Sequence, residues 1–394
     1  MSIGKLKDKV QYLDRLNEDN FHLLTDNSDY STIICGQEEA WWTNKFNDFE
    51  LGEDLIKNYV DKYQNNNNLP DIKIILCGYD YPSIPSEKDY TGFTTPGVGI
   101  PWAERVQWPT YWFGYEASID FRENLPMPID IEPTKLISCF LNNGHKMHRV
   151  CLMQSMLDNG MMNKGIFRFC NSDSAWRTFI SKVNQEREVG GPHMALLSNL
   201  LPHLNQLFSQ KKWGIANTPG VGFDPDYHLG CIDIIGSSNV LCPTFCEKTA
   251  RPLLFGKPFY MVGPPGINIL LKELGFELYD EIFDYKLDNY VAHGSSRGDY
   301  KKYYDYMLRP LYDLDNTSEC IEHIRTVTRE KVLYNQKRIV DIIFDDSFIP
   351  YVFTDHLKDS HYAVAVQWSR KILAQSEYFS KYLSKEQVRL YSGK

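Results

Sequence analysis

The stretch NVLCPTFCEKTARPLLFGKPFYMVGPPGINILLKELGF, from Asn239 to Phe276, carries the clearest structural pattern in this 394-residue chain. Thr244 and Glu247 form a Thr-x-x-Glu capping box at the start of a short helix, and Gly256 stands where such a helix ends. FYMV (259–262) is apolar throughout, which predicts a buried strand. GPPG then predicts a turn, and INILLKEL has helical spacing. A helix, an apolar strand, a glycine loop and a second helix are typical of a parallel α/β sheet.

The polar face of the first predicted helix carries Glu247, Lys248 and Arg251. A carboxylate can accept hydrogen bonds from two ribose hydroxyls at once, and a neighbouring lysine can neutralise a diphosphate. The trio therefore predicts a sugar-nucleotide site. The alternative interpretation is a capping glutamate with two solvated cations on an ordinary surface helix.

The string CEKTARPLLFGKPFYMVGPPG resembles the donor-site signature of fucosyltransferase-like enzymes with two Rossmann domains. It is more similar still to a group of phage and large-virus glycosyltransferases, with the pattern [ST]-E-K-T-x-[KR]-P-L-x-x-G-x-P-F-x-x-x-G-x-P-G. The match covers about a tenth of the chain, and Cys246 stands where these families usually have Ser or Thr. The resemblance implies that Glu247 holds the donor ribose and that Lys248 approaches the phosphates, with Thr244, Arg251 and Gly263 in the same donor site.

A second unit of this kind begins at KLISCFLN (135–142), which predicts a strand followed by a tight loop and a helix. His148 and Arg149 open that helix, where free N–H groups and the helix dipole favour an anion. The phage-type enzymes have a similar strand followed by N-x-x-x-x-x-H-R, although the arginines that usually precede the pair are replaced here. The resemblance implies that Arg149 contacts the donor phosphate. The alternative is an exposed cation at a helix N-terminus, which is electrostatically unfavourable.

The first third of the chain predicts an incomplete Rossmann-like domain. The opening KLKDKVQYLDRLN reads as an amphipathic helix, and STIIC (31–35) and IKIILCGYD (72–80) read as strands. A long aromatic loop, without predicted structure, then runs from 81 to 116. Because functional loops leave the carboxyl ends of such strands, three acidic residues of this region are candidates for a catalytic base: Asp80, Glu104 and Glu116. For each of them the alternative is a solvated loop carboxylate.

These elements predict an α/β chain with two Rossmann-like domains facing a cleft, the GT-B arrangement of the enzymes that it resembles. Residues 1–131 would form the acceptor-side domain and 132–345 the donor-binding domain, divided at the proline-rich segment before 134. Residues 346–394 predict a C-terminal helical segment. The resemblance implies that this segment crosses back to the first domain.

Composition excludes several classes of protein. A net charge of −9 gives no global attraction to nucleic acid or to an anionic membrane. No apolar run reaches the roughly 20 residues of a membrane span, so no membrane partner is expected. The nine cysteines include no CxxC pair, which argues against a zinc site. Their odd number and the absence of a signal peptide argue for a reducing cytoplasm.

The function expected from these features is transfer of a sugar from a nucleoside-diphosphate sugar, UDP being the commonest, to a hydroxyl acceptor. The acceptor is either a glycan or a hydroxymethylated pyrimidine in phage DNA. No DxD metal-binding motif lies in a loop that follows a predicted strand, so neither a metal nor a cofactor is expected. Inversion is favoured because Asn239 occupies the position of the first glutamate in the Glu-x7-Glu pattern of many retaining enzymes, although retention stays open.

A different class of function is a non-catalytic nucleotide- or glycan-binding protein on a glycosyltransferase fold. The Glu247-Lys248 pair argues against it, since folding requires neither residue. A dinucleotide oxidoreductase is excluded by the lack of G-x-G-x-x-G after any early strand.

Overall fold

The computed structural model describes the backbone of five N-terminal strands and most of the remaining two thirds of the chain. The described residues are 10–13, 32–36, 73–78, 91–94, 106–107, 132–141, 147–169, 176–177, 179–181, 184, 200–202, 225–236, 247–263, 267–286, 304–348 and 361–393. The chain divides into two compact units. The first comprises 1–111, 241–245 and 345–364, and the second comprises 112–240, 246–344 and 365–394.

The first unit contains a five-stranded parallel sheet in the order β1-β2-β3-β4-β5. Its strands are β1 (Val10–Leu13), β2 (Thr32–Gly36), β3 (Lys73–Gly78), β4 (Thr91–Thr94) and β5 (Val106–Gln107). The predicted strands at β2 and β3 are confirmed.

Two predictions for the first unit are wrong. The expected opening helix is a strand where Val10–Leu13 pairs with β2, because pairing with a neighbour overrides a weak local helical pattern. The segment 81–116, expected to be an ordered loop without strands, contains β4 and β5. Both strands are too short for hydrophobic alternation to reveal them.

The second unit is built on a four-stranded parallel sheet in the order β7-β6-β8-β9. Its strands are β6 (Lys135–Phe140), β7 (Gly165–Arg168), β8 (Gly230–Gly236) and β9 (Phe259–Val262). Every residue of β8 and β9 is buried, as the apolar run 259–262 predicted. Strands covered on both faces are typical of α/β architecture, so the α/β fold class is confirmed for the described residues.

Helices lie between and after these strands along the chain. They are α1 (Met147–Asp158), α2 (Glu247–Phe255), α3 (Ile267–Glu273), α4 (Arg309–Tyr312), α5 (Ser318–Phe344), α6 (His361–Gln375), α7 (Glu377–Ser380) and α8 (Lys385–Ser392). The helical character predicted for the C-terminal segment is confirmed. In the described part of the chain, no helix combines the length and the apolar composition that crossing a membrane requires.

Helices α2 and α3 both end in a left-handed glycine, as the sequence predicted. Gly256 has φ 68° and Gly275 has φ 84°. The Lys257 N–H donates to the Pro252 carbonyl at 2.9 Å, which is the six-to-one bond of a Schellman motif. The Phe276 N–H makes the equivalent bond after α3, at 3.1 Å from the Leu271 carbonyl. These caps turn the chain sharply, so that β9 follows α2 within four residues.

The long helix α5 packs against α2 and fixes its C-terminal end. The buried Gln336 side chain donates from Nε2 to the Leu254 carbonyl at 3.0 Å and accepts at Oε1 from the Tyr378 hydroxyl at 2.8 Å. The carbonyls of the last helical turn have no partner inside the helix, so an amide from a neighbouring helix stabilises them. Gln336 thereby connects α2, α5 and α7.

A side-chain amide satisfies the backbone of β9. Asn268 of α3 accepts from the Met261 N–H at 3.0 Å and donates to the Met261 carbonyl at 2.9 Å. Because β9 is the last strand of the described sheet, Met261 would otherwise bury an unpaired donor and acceptor. The clamp also holds the start of α3 against the strand that precedes it.

Candidate functional site

The strand order of the second sheet reverses between β6 and β8. From β6 the chain moves to β7 on one side, whereas β8 and β9 add to the other side of β6. In open parallel sheets, ligands bind outside the carboxyl ends of the strands at such a switch point. The carboxyl ends of β6 and β8 therefore mark the candidate site.

Helix α2 is directed towards that same edge. It ends at Phe255, only four residues before β9 begins, and Pro258 accepts a hydrogen bond from the Asp233 N–H at 2.9 Å. The C-terminal end of α2 therefore lies near the amino end of β9. Its nine residues span about 13 Å, which carries its first turn back towards the carboxyl edge.

The predicted donor residues occupy the starts of helices and strand ends. Glu247 is the first residue of α2, and His148 is the second residue of α1. Gly263 is buried and directly follows β9 at its carboxyl end. Helix N-terminal turns favour negatively charged groups such as a diphosphate. The prediction that His148 and Glu247 stand at the starts of helices is confirmed for the backbone.

Arg149 is the third residue of α1, and its side chain is only 1% exposed. Burial and the charge of Asp233 raise the pKa of the Cys139 thiol in β6, and the charge of Arg149 opposes that rise. Arg149 therefore lies close to β6. The alternative interpretation of Arg149, an exposed cation at a helix N-terminus, is therefore wrong.

Lys248 and Arg251 are also buried, at 6% and 2% exposure. The interpretation of α2 as a helix with two solvated cations is therefore wrong. The Arg251 guanidinium carbon lies 5.9 Å from the centre of the Tyr227 ring, and its charge helps to lower the pKa of Asp233. Arg251 thus points towards Tyr227 and Asp233 of the protein interior. Lys248 and Arg149, in contrast, are buried cations in the first turns of their helices.

Four predicted site residues lie outside the described part of the chain. These are the capping residue Thr244 and the three candidate bases Asp80, Glu104 and Glu116. Their roles stay predictions.

A buried polar cluster, which we call the Asp233 cluster, consists of Ser138, Tyr227, Asp233 and Lys257. The Tyr227 hydroxyl donates to Asp233 Oδ2 at 2.6 Å, and the Ser138 hydroxyl lies 3.2 Å from Oδ1. Lys257 Nζ donates to Ser138 Oγ at 2.9 Å and to the Tyr227 carbonyl at 2.7 Å. It also lies 3.9 Å from the centre of the Tyr227 ring. Ser138 therefore connects a buried ammonium to a buried carboxylate.

The charges of the Asp233 cluster depend on each other. Burial raises the pKa of Asp233, and Lys257, the Tyr227 hydroxyl and Arg251 oppose that rise. Burial lowers the pKa of Lys257 to about 8, and Asp233 opposes that fall. The cluster holds β6, β8 and the segment after α2 together, because each polar group loses its partner if one element moves.

The Asp233 cluster was only partly visible in the sequence. Asp233 interrupts the apolar run CIDII, and Lys257 stands just before the fully apolar β9, so both positions signal a charge inside a sheet. Their connection through Ser138 was not predictable from spacing.

Among the residues that the structure describes, no three His, Cys, Asp or Glu side chains are grouped as metal ligands. Comparison of the chain with protein-family models, with curated proteins and with solved structures finds no match. The features of this chain that bear on function are the strand order of the second sheet, the helix starts and the buried cations.

Proposed function

We propose that this protein is a glycosyltransferase that uses a nucleoside-diphosphate sugar, with UDP as the first nucleotide to test. The observation that carries the proposal is the position of Glu247-Lys248. The pair opens α2, which is directed towards the carboxyl edge of a parallel sheet with a reversal of strand order. The proposal includes two Rossmann-like domains facing a cleft, the first on the acceptor side, and a C-terminal segment that crosses back.

In this proposal, Glu247 accepts hydrogen bonds from the ribose hydroxyls and the N-terminal turns of α1 and α2 hold the diphosphate. Glycosyl transfer leaves a nucleoside diphosphate whose negative charge grows in the transition state. Arg149 and Lys248 are buried, and fixed cations shielded from water act more strongly on such charge than solvated ones. His148 stands beside Arg149 at the start of α1 and contributes to the same phosphate site.

Arg251 has a different part in the proposal. Because it lies near Tyr227 and Asp233, it adds positive potential behind the donor site and supports α2 from within. Thr244, three residues before α2, and Gly263, at the end of β9, belong to the same donor site in this proposal.

The acceptor hydroxyl needs a base within hydrogen-bond reach, which the proposal takes from Asp80, Glu104 or Glu116. The reaction proposed is inverting and independent of metal. The acceptor is a glycan or a hydroxymethylated pyrimidine in DNA. DNA binding would fall steeply as salt concentration rises, whereas binding of a neutral glycan would not.

The donor part of the proposal is tested by thermal stabilisation with UDP-, GDP- and CMP-sugars. A ligand that binds only the folded state raises the melting temperature once its concentration passes the dissociation constant. One nucleotide should stabilise the wild type and not Glu247→Ala. Glu377→Ala provides a matched control, since Glu377 is an exposed first-turn glutamate of α7. If no sugar nucleotide stabilises the wild type at millimolar concentration, the proposal fails.

A second measurement separates an enzyme from a non-catalytic binding protein. Release of the nucleoside diphosphate is followed with the stabilising donor, alone and with hydroxymethylcytosine DNA or a glycan panel. Release of the nucleoside diphosphate only in the presence of an acceptor supports transfer of the sugar to that acceptor. If the donor binds but no nucleoside diphosphate is released under any of these conditions, the protein is a non-catalytic binding protein and not an enzyme.

A further inference from the structure

A cavity lies at the amino edge of the second sheet, opposite the candidate site. It has a volume of about 360 Å³, within the range of small-molecule sites. Pro133 precedes β6, Gly230 begins β8, and Pro258 precedes β9, so three amino ends of strands form one wall. Residues 322–333 of α5 form the other wall. We call this space the amino-edge cavity.

The amino-edge cavity is cationic although the whole chain has a net charge of −9. Its lining includes Lys257, Arg325 and Arg329 against one carboxylate, Glu322, which leaves two positive charges. His228 also lines it and is neutral at pH 7, because burial and Lys257 lower its pKa to about 4.

The cations of the cavity differ in how they are compensated. Lys257 has the buried Asp233 nearby, and Arg325 is paired with Glu322 at 3.0 Å. Within the described part of the chain, Arg329 makes no ion pair. Arg325 and Arg329 are four residues apart on α5, and like charges at this spacing repel each other. A bound anion would remove that repulsion.

We propose that the amino-edge cavity binds a small phosphate ester. Two guanidinium groups one helical turn apart can each present a fork of donors, which matches three terminal phosphate oxygens better than the two oxygens of a carboxylate. Thr326 lines the same space and offers a hydroxyl, whereas Pro133 and Pro258 offer apolar surface for the organic part. The small volume favours a small molecule over a nucleic acid, which would need an extended basic stripe.

This site is distinct from the proposed donor site. The cavity borders Gly256 and Lys257, just after the C-terminal end of α2, whereas Glu247 begins that helix. Nine helical residues place the two ends about 13 Å apart. The inference does not depend on the proposed transferase activity, because it uses only the lining of the amino-edge cavity.

Arginine labelling with phenylglyoxal, read by peptide mass spectrometry, tests this site residue by residue. Inorganic phosphate at ten times its dissociation constant should slow the labelling of Arg325 and Arg329 by about tenfold. Arg309 and Arg389 are exposed arginines outside the cavity, and their labelling rates should not change. Acetate at the same ionic strength should protect none of the four.

Three results would overturn the inference: equal labelling of Arg329 with and without phosphate, equal protection of Arg309 and Arg389, or equal protection by acetate. Arg329→Gln provides an independent test, since an exposed residue can be replaced without disturbing the core. This variant should lose most of the phosphate protection of Arg325. Lys337→Gln, on the same helix but outside the cavity, should keep it.

Discussion

The Tyr227 hydroxyl donates a 2.6 Å hydrogen bond to Asp233 in the interior of the second sheet. Tyr227 precedes β8 and Asp233 lies in its centre, so the bond ties the entry of the strand to its middle. Lys257, which follows α2, reaches the same place through Ser138 and through the Tyr227 carbonyl. One buried carboxylate thus fixes where α2 ends and therefore where its first turn lies.

Asp233→Asn should destabilise the fold by about 3 kcal/mol, because Lys257 would keep its buried charge without a compensating carboxylate. Urea unfolding measures the change. The matched control is Asp280→Asn, which removes an exposed carboxylate that pairs with Lys331 and should change the free energy of unfolding by less than about 1 kcal/mol. Equal effects of the two variants would show that Asp233 is not a buried counter-charge.

His228 should make folding stability depend on pH between about 4 and 6.5. Burial and the charge of Lys257 lower its folded pKa to about 4 from 6.5, so in this window the unfolded chain binds a proton that the folded chain does not. Stability therefore falls as pH falls, by up to about 1.4 kcal/mol per pH unit.

His228→Phe isolates this effect. Phenylalanine does not titrate and can keep the edge contacts that His228 makes with Tyr227 and Phe255. The difference between wild type and variant in urea unfolding should change across pH 4 to 6.5 and stay constant between pH 7 and 8. A constant difference over the whole range would mean that His228 keeps its ordinary pKa.

Gly256→Ala should cost roughly 2–3 kcal/mol, more than Gly160→Ala at about 1 kcal/mol. Both glycines have φ 68°, so both substitutions carry the penalty of a left-handed alanine. Only at Gly256 would the added Cβ lie 2.7 Å from Gln336 Nε2, whereas at Gly160 it meets no atom within 4 Å. Thermal unfolding of the two variants gives the difference. Equal losses would mean that Gln336 does not pack against the end of α2.

The sequence predicted those elements whose signals are local. The bounds of α2 and β9 follow from helical apolar spacing, a glycine and an unbroken apolar run, all between 247 and 262, and the structure agrees with them. The strand β1 was missed because the only evidence for it is its pairing with β2, which local periodicity does not contain.

The sequence predicted which residues open α1 and α2, but not the contacts that bury the cations there. The resemblance identified Glu247, Lys248 and Arg149, and the structure shows that the two cations are buried rather than solvated. Their burial depends on contacts between distant segments, and Lys257 and Ser138, for example, are 119 residues apart. No spacing rule connects such residues, since only the assembled sheet brings them together.

The most direct test of the proposed function is the selectivity for ribose hydroxyls. Dissociation constants are measured by calorimetry for the nucleoside diphosphate that stabilises the protein and for its 2′,3′-dideoxy analogue, with wild type and Glu247→Gln. If Glu247 accepts both hydroxyls, the wild type should bind the dideoxy analogue at least about tenfold more weakly, and the variant should lose most of that preference. An unchanged preference in Glu247→Gln, or no nucleotide binding by the wild type, would contradict the donor site proposed here.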